Sequence, residues 1–147
     1  MRFAVEVPVR WSDMDAYGHV NHARTVTLLE GARTELLFRE SRRRGTGGFD
    51  GAIVVAKLFV DYKAPILYTD SPLHVEVWVT ELRTAWFVLD YSARALNDPK
   101  VLVTARTTMA PLEAGTNRPR RISPAEREFL SLWTVEEPVG AVGERGA

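Results

Sequence analysis

The sequence predicts an α+β domain in which one long helix covers one face of an antiparallel sheet, an order that permits several folds, among them a strongly curved sheet wrapped around one long central helix. Three observations lead there. One stretch, from Ala23 to about Arg43, carries apolar residues at helical spacing with no proline and no glycine except Gly31. Around it, runs of alternating or β-branched residues read as strands. Their order, one strand, then the helix, then four more strands, keeps helix and strands in separate blocks as α+β domains do.

Phe3 to Trp11 puts Phe3, Val5, Val7 and Val9 on alternate positions, the period of a half-buried strand. In the helix, Val26, Leu29, Ala32 or Arg33, Leu36 and Leu37 recur on one side. Asn21 stands where a side chain can cap the first turn, and Gly45-Thr46-Gly47-Gly48 supplies a stop. Ala52 to Tyr62 is rich in β-formers and ends at Lys63-Ala64-Pro65. Leu73 to Leu82, Ala85 to Ala95 and Val101 to Leu112 complete an expected four-strand meander, with hairpin turns at Asp70-Ser71-Pro72 and Asn97-Asp98-Pro99. Pro124 to Trp133 reads as a short closing helix capped by Ser123. This makes a single domain over 1–133, followed by a flexible C-terminal tail over 134–147, rich in glycine and charge. A curved sheet of this kind leaves an edge strand open to a second copy, so a homodimer is the minimal expectation and a homotetramer stays open.

Composition narrows the chemistry. The chain has 147 residues, 46% of them hydrophobic and 26% charged, which suits one globular domain. No apolar run is long enough to span a bilayer. Met1-Arg2-Phe3-Ala4-Val5-Glu6 lacks the continuous apolar core of a signal peptide, so a cytoplasmic location is expected. Without cysteine, thiol nucleophiles, disulfides and thiolate metal sites are excluded. Nineteen basic residues balance nineteen acidic ones, leaving no overall field to gather nucleic acid. The local clusters Arg39, Arg42, Arg43, Arg44 and Arg118, Arg120, Arg121 could meet phosphates, though solvated loop charge is the blander reading.

Reactive side chains are densest between the first strand and the helix, at Asp13, Asp15, His19, Asn21 and His22. A helix start presents unpaired amides with partial positive charge, which can polarise a carbonyl oxygen. A carboxylate beside such amides suits attack on an activated acyl group, either directly or by taking a proton from water. The blander readings are that Asp15 caps the loop or braces Arg10, and that Asp13 and His19 are structural. Asp13, Asp15, His19 and His22 could also be metal ligands, but the remaining histidine, His74, falls in an expected strand, and no metal is assigned. Glu30 is placed to pair with Arg33 or Thr34, and the tryptophans at 11, 78, 86 and 133 suit core or interface positions.

The run Arg10-Trp11-Ser12-Asp13-Met14-Asp15-Ala16-Tyr17-Gly18-His19-Val20-Asn21-His22-Ala23-Arg24, followed by Glu30-Gly31-Ala32-Arg33, resembles the signature of the 4-hydroxybenzoyl-CoA thioesterase-like branch of hot-dog proteins. Val60-Asp61-Tyr62-Lys63-Ala64-Pro65 resembles that family's next strand and turn. The resemblance implies the hot-dog fold and hydrolysis of an acyl-CoA thioester to free acid and CoA. It implies that Asp15 is the catalytic carboxylate, that Asp13 supports the loop, and that the backbone amide of His22 polarises the thioester carbonyl. Thr25-Val26-Thr27-Leu28 departs from the aromatic residue many members carry there, which bears on acyl range. His19, Asn21, Lys63, Arg83 and Thr84 are the candidate substrate-binding residues. No cofactor is expected, since a thioester is already activated and CoA is part of the substrate. The rival reading is a non-catalytic hot-dog module binding acyl-CoA or acyl carrier protein.

Overall fold

The computed structural model describes residues 1–46, 49 and 51–135. The expected tail therefore lies outside the described residues from 136 onward, as do Gly47 and Gly48 of the helix stop. Its first two residues are tied down: the Val135 amide donates to the Val79 carbonyl, and Thr134 bridges Val79 in parallel.

Five strands form one antiparallel sheet: β1 (Phe3–Val7), β2 (Ile53–Tyr62), β3 (Leu73–Leu82), β4 (Phe87–Ala95) and β5 (Val101–Pro111). Their spatial order is β1-β3-β4-β5-β2. This corrects the expected four-strand meander. Only β3, β4 and β5 are joined by hairpins, whereas the chain after β2 crosses the sheet to β3, which lies between edge strand β1 and β4, and Asp70-Ser71-Pro72 leads into β3 rather than turning a hairpin. Alternation along a strand specifies which face is buried, but it does not specify the neighbour.

The long helix begins as α1 (His22–Thr34), continues as a π-helical segment (Glu35–Glu40) and ends in a last α turn, α2 (Ser41–Arg43). Asn21 caps it, its side-chain oxygen accepting from the Ala23 amide at 2.9 Å. Leu28, Leu29, Ala32, Leu36 and Leu37 are buried against the concave face of the sheet, where Val75, Val77 and Val79 of β3, Phe87, Leu89 and Tyr91 of β4, and Val103 and Ala105 of β5 complete one core. Val26 is only half-buried, and Thr25 takes the buried place in that turn. This is the curved sheet around a long helix that defines the hot-dog fold.

A second helix, α3 (Pro124–Leu132), starts at Ser123, whose hydroxyl accepts from the Glu126 amide while the Glu126 carboxylate accepts from the Ser123 amide. Phe129, Leu130 and Trp133 join the same core. The arginine clusters are largely paired: Arg43 and Arg44 reach Glu40, Arg39 reaches Glu35, and Arg120 makes two hydrogen bonds to Glu126. Among the described residues, no helix is long and apolar enough to cross a membrane.

Candidate active site

The segment between β1 and α1 is shaped by its own backbone. Residues Trp11–Asp13 form a 3-10 turn, and the Arg10 amide donates to Asp13 Oδ2 at 2.8 Å. Asp13 is 1% exposed, its carboxylate enclosed within this turn. Asp13, and not Asp15, is the aspartate facing Arg10. From Asp15 the chain turns tightly: Gly18 donates to the Asp15 carbonyl at 3.1 Å and Asp15 to the His19 carbonyl at 2.9 Å. Gly18 sits at φ +77°, a conformation that side-chain-bearing residues rarely adopt.

Asp15 is half-buried, and one carboxylate oxygen accepts from the Tyr17 amide at 2.9 Å. That bond orients the group without enclosing it. Asn21 donates its amide to the Asp13 carbonyl at 2.9 Å, joining the turn to the helix start, while its side chain is spent on the cap. His22 is the first helical residue, exposed, with its amide among the first-turn donors that the helix itself cannot satisfy. His19 is half-buried beside Asp15 through the backbone bond already described.

The segment rests on the chain that follows β2. Val20 donates to the Ile66 carbonyl at 2.8 Å, Trp11 meets Tyr68 edge to face, and the Tyr62 phenol donates to the His22 carbonyl at 2.8 Å. Lys63 is next along the chain and pairs with Asp61 at 3.0 Å. Nothing in the sequence marks Tyr62 or Ile66 as part of this site, because an aromatic residue at a strand end and an isoleucine in a loop look like packing until the fold brings them to the helix start.

Arg83 and Thr84 are placed elsewhere. They lie in the β3–β4 hairpin, where the Arg83 amide donates to the Trp86 carbonyl. Tyr62, Val103 and Ala93 share one row of the sheet, and the hairpin closes at Leu82 and Phe87. At about 3.3 Å per residue, the strand from Ala93 to Phe87 separates the two ends by roughly 20 Å. Within one chain, Lys63 is therefore near the helix start and Arg83 and Thr84 are not. Arg83 pairs with Glu81 at 2.6 Å and borders an open cleft on the outer face of the sheet with Lys57, Trp86 and Arg106. In that face Asp90, fully buried, holds Arg106 through two bonds of 2.6 Å, and these bonds raise the guanidinium pKa still further. Glu30 pairs with Arg33 at 3.3 Å, and Arg33 also donates to the buried Tyr91 phenol, a structural arrangement. Among the described residues no three histidine, aspartate or glutamate side chains are grouped to hold a metal ion.

The fold defines a hot-dog protein, with the Asp15 carboxylate in the turn that leads into the long helix. The Thioesterase-like superfamily profile matches residues 9–131, and the chain belongs to that family. No curated protein matches it. Among solved structures, it is similar to a predicted thioesterase from Bacillus stearothermophilus, at 18% identity and TM-score 0.78, over 94% of this chain and 100% of that one. It is also similar to a thioesterase from Thermus thermophilus complexed with coenzyme A and Zn, at 26% identity and TM-score 0.70, over 88% and 92% of the two chains. A DHNA-CoA thioesterase from Staphylococcus aureus aligns at 22% identity and TM-score 0.72, over 89% of each.

Proposed function

We propose that this protein hydrolyses an acyl-CoA thioester to the free acid and CoA, with Asp15 as the catalytic carboxylate. The observation that carries the reading is that one short segment holds an accessible carboxylate, oriented by the Tyr17 amide, beside a helix start whose first residue is His22. The His22 amide receives the thioester oxygen, which gains negative charge as the carbonyl carbon becomes tetrahedral. Asp15 either takes a proton from the attacking water or attacks directly to give a mixed anhydride that water then opens. In both courses a C–O bond forms, the C–S bond breaks, and the thiolate leaves as CoA. The reaction needs water and no further cofactor, in the cytoplasm. The family and the coenzyme A bound by the Thermus thermophilus protein support the substrate class.

The working unit in this proposal is at least a homodimer. β2 is a ten-residue edge strand with Val54, Val55, Leu58 and Tyr62 exposed, a surface that one chain leaves in water. Antiparallel pairing of β2 with its copy brings the partner's Ile53 end alongside Tyr62. The Val55 row continues through Met109 to Phe87 beside the β3–β4 hairpin, so Arg83 and Thr84 serve the site from the other subunit, with Lys63 from its own.

The test is a panel of acyl-CoA thioesters assayed for released thiol with wild type and Asp15→Asn. Asp15→Asn is expected to lose about 10²- to 10⁴-fold in turnover while still binding CoA. Full turnover in that variant would remove Asp15 from the chemistry. CoA binding with no turnover by wild type would instead favour a non-catalytic module that binds acyl-CoA or acyl carrier protein.

A further inference from the structure

The Tyr62 phenol is the side chain that ties the edge of the sheet to the first turn of the long helix. Its hydroxyl donates to the His22 carbonyl at 2.8 Å across 40 residues of sequence. That carbonyl belongs to the first helical residue, and a carbonyl oxygen has two lone pairs, so the helical acceptor role and the phenol can coexist. The helix does not need this bond in order to form: Asn21 already caps the first turn, and Thr25 already donates to the Asn21 carbonyl at 3.0 Å. The bond is therefore additional to helix formation, and it comes from outside the helix.

Its place in the fold matters. Tyr62 is the last residue of β2, on the same helix-facing side of the strand as Val55 and Leu58. All three are exposed in the single chain. The same side chain thus stands at the unpaired edge and holds the residue whose amide faces the reacting carbonyl. A phenol is protonated at neutral pH and can donate there, and partial burial shifts its pKa further upward.

We propose that Tyr62 is a positioning residue for thioester cleavage, holding the His22 amide in line with the substrate carbonyl by anchoring the carbonyl of the same residue. This rests on the hydrolytic reading above. An amide that develops its strongest bond only in the transition state is sensitive to small errors of aim, so slackening the first turn lowers turnover more than it weakens substrate binding.

The experiment is Tyr62→Phe, which removes one oxygen and keeps the ring. It is assayed beside Asp15→Asn, with amide hydrogen exchange measured over residues 22–25. The expected result is a five- to tenfold lower kcat, about the effect of one hydrogen bond, with KM within about twofold of wild type. Exchange of the first-turn amides should quicken several-fold, while the melting temperature and the oligomeric mass stay close to wild type. A purely structural role would lower the melting temperature and leave the kcat of the folded fraction alone. Wild-type kcat in Tyr62→Phe alongside an inactive Asp15→Asn would overturn this proposal and leave the hydrolytic reading standing. Full activity in Asp15→Asn would bring down the reading of the site itself. If no thioester is cleaved, unchanged exchange at residues 22–25 in Tyr62→Phe would still overturn the anchoring.

Discussion

The two edge strands of the sheet are built in opposite ways. β1 is five residues long, and its apolar side chains Phe3, Val5 and Val7 are half-buried while Ala4 and Glu6 face water. Beyond it along β3, residues 133–135 carry on the pairing at Val79, and Trp133 packs edge to face on Phe3. β2 is twice as long and has exposed apolar residues on both faces, Val54 on one and Val55, Leu58 and Tyr62 on the other. A short edge next to a helix resists further pairing, whereas a long apolar edge templates it. The contrast teaches that one side of this molecule is completed within the chain, whereas the other, the side that carries Tyr62 and meets the motif, leaves apolar residues exposed, and that is where the proposed second copy would pair.

Three substitutions would break or sharpen that contrast. The largest effect on stability belongs to the closed edge. Trp133 is 5% exposed, touches Phe3 and Phe129, and lies under the Arg44 guanidinium, so Trp133→Ala should cost about 3–5 kcal/mol. Denaturant unfolding measures this, and the oligomeric mass should not change. A loss below about 1 kcal/mol would show that this edge is not closed by Trp133.

At the open edge the effect should fall on assembly instead. Leu58→Lys puts a charge in the middle of β2 at a position already half exposed in the single chain. Sedimentation should show the mass dropping toward the monomer, with turnover down at least about tenfold, because charge on an edge strand opposes pairing. An unchanged mass would place the subunit contact somewhere other than β2.

The smallest effect is the acid sensitivity of α3, which supports the closed edge. Burial would push the Glu126 carboxyl upward, but the Arg120 guanidinium and the Ser123 amide outweigh it and hold the pKa below the usual 4.5. A group whose pKa is lower in the folded state stabilises fully above its unfolded value, and that contribution disappears as pH falls through the folded value. The melting temperature should therefore fall as pH drops below about 4.5, and less steeply in Glu126→Gln than in wild type. Parallel pH profiles would remove Glu126 from the acid response.

Much of this was legible in the residues. The long helix, both of its neighbouring strands and the β3–β4–β5 run match the expected segments to within a few positions, because apolar periodicity and caps such as Asn21 and Ser123 are local properties. The motif segment was legible for the same reason: its turn and cap bonds run among residues 10 to 23 of one continuous stretch, and only its ties to Ile66 and Tyr62 come from farther along the chain. Strand order was not, and β2 was expected beside β3 when it pairs with β5. Nor was the spread of the tryptophans, of which Trp78 and Trp133 are buried while Trp11 and Trp86 are exposed.

The sequence alone determined the class of domain, the family resemblance and the grouping of Asp15, His19, Asn21 and His22, since each depends on spacing along the chain. Only the tertiary structure decided that Asp13 is sealed inside its own turn, that Tyr62 reaches the His22 carbonyl, and that Arg83 and Thr84 stand at the other end of the sheet from Asp15. The physical reason is that these depend on which strands share hydrogen bonds. That choice is made by the burial of whole faces during collapse, and no local pattern of residues records it.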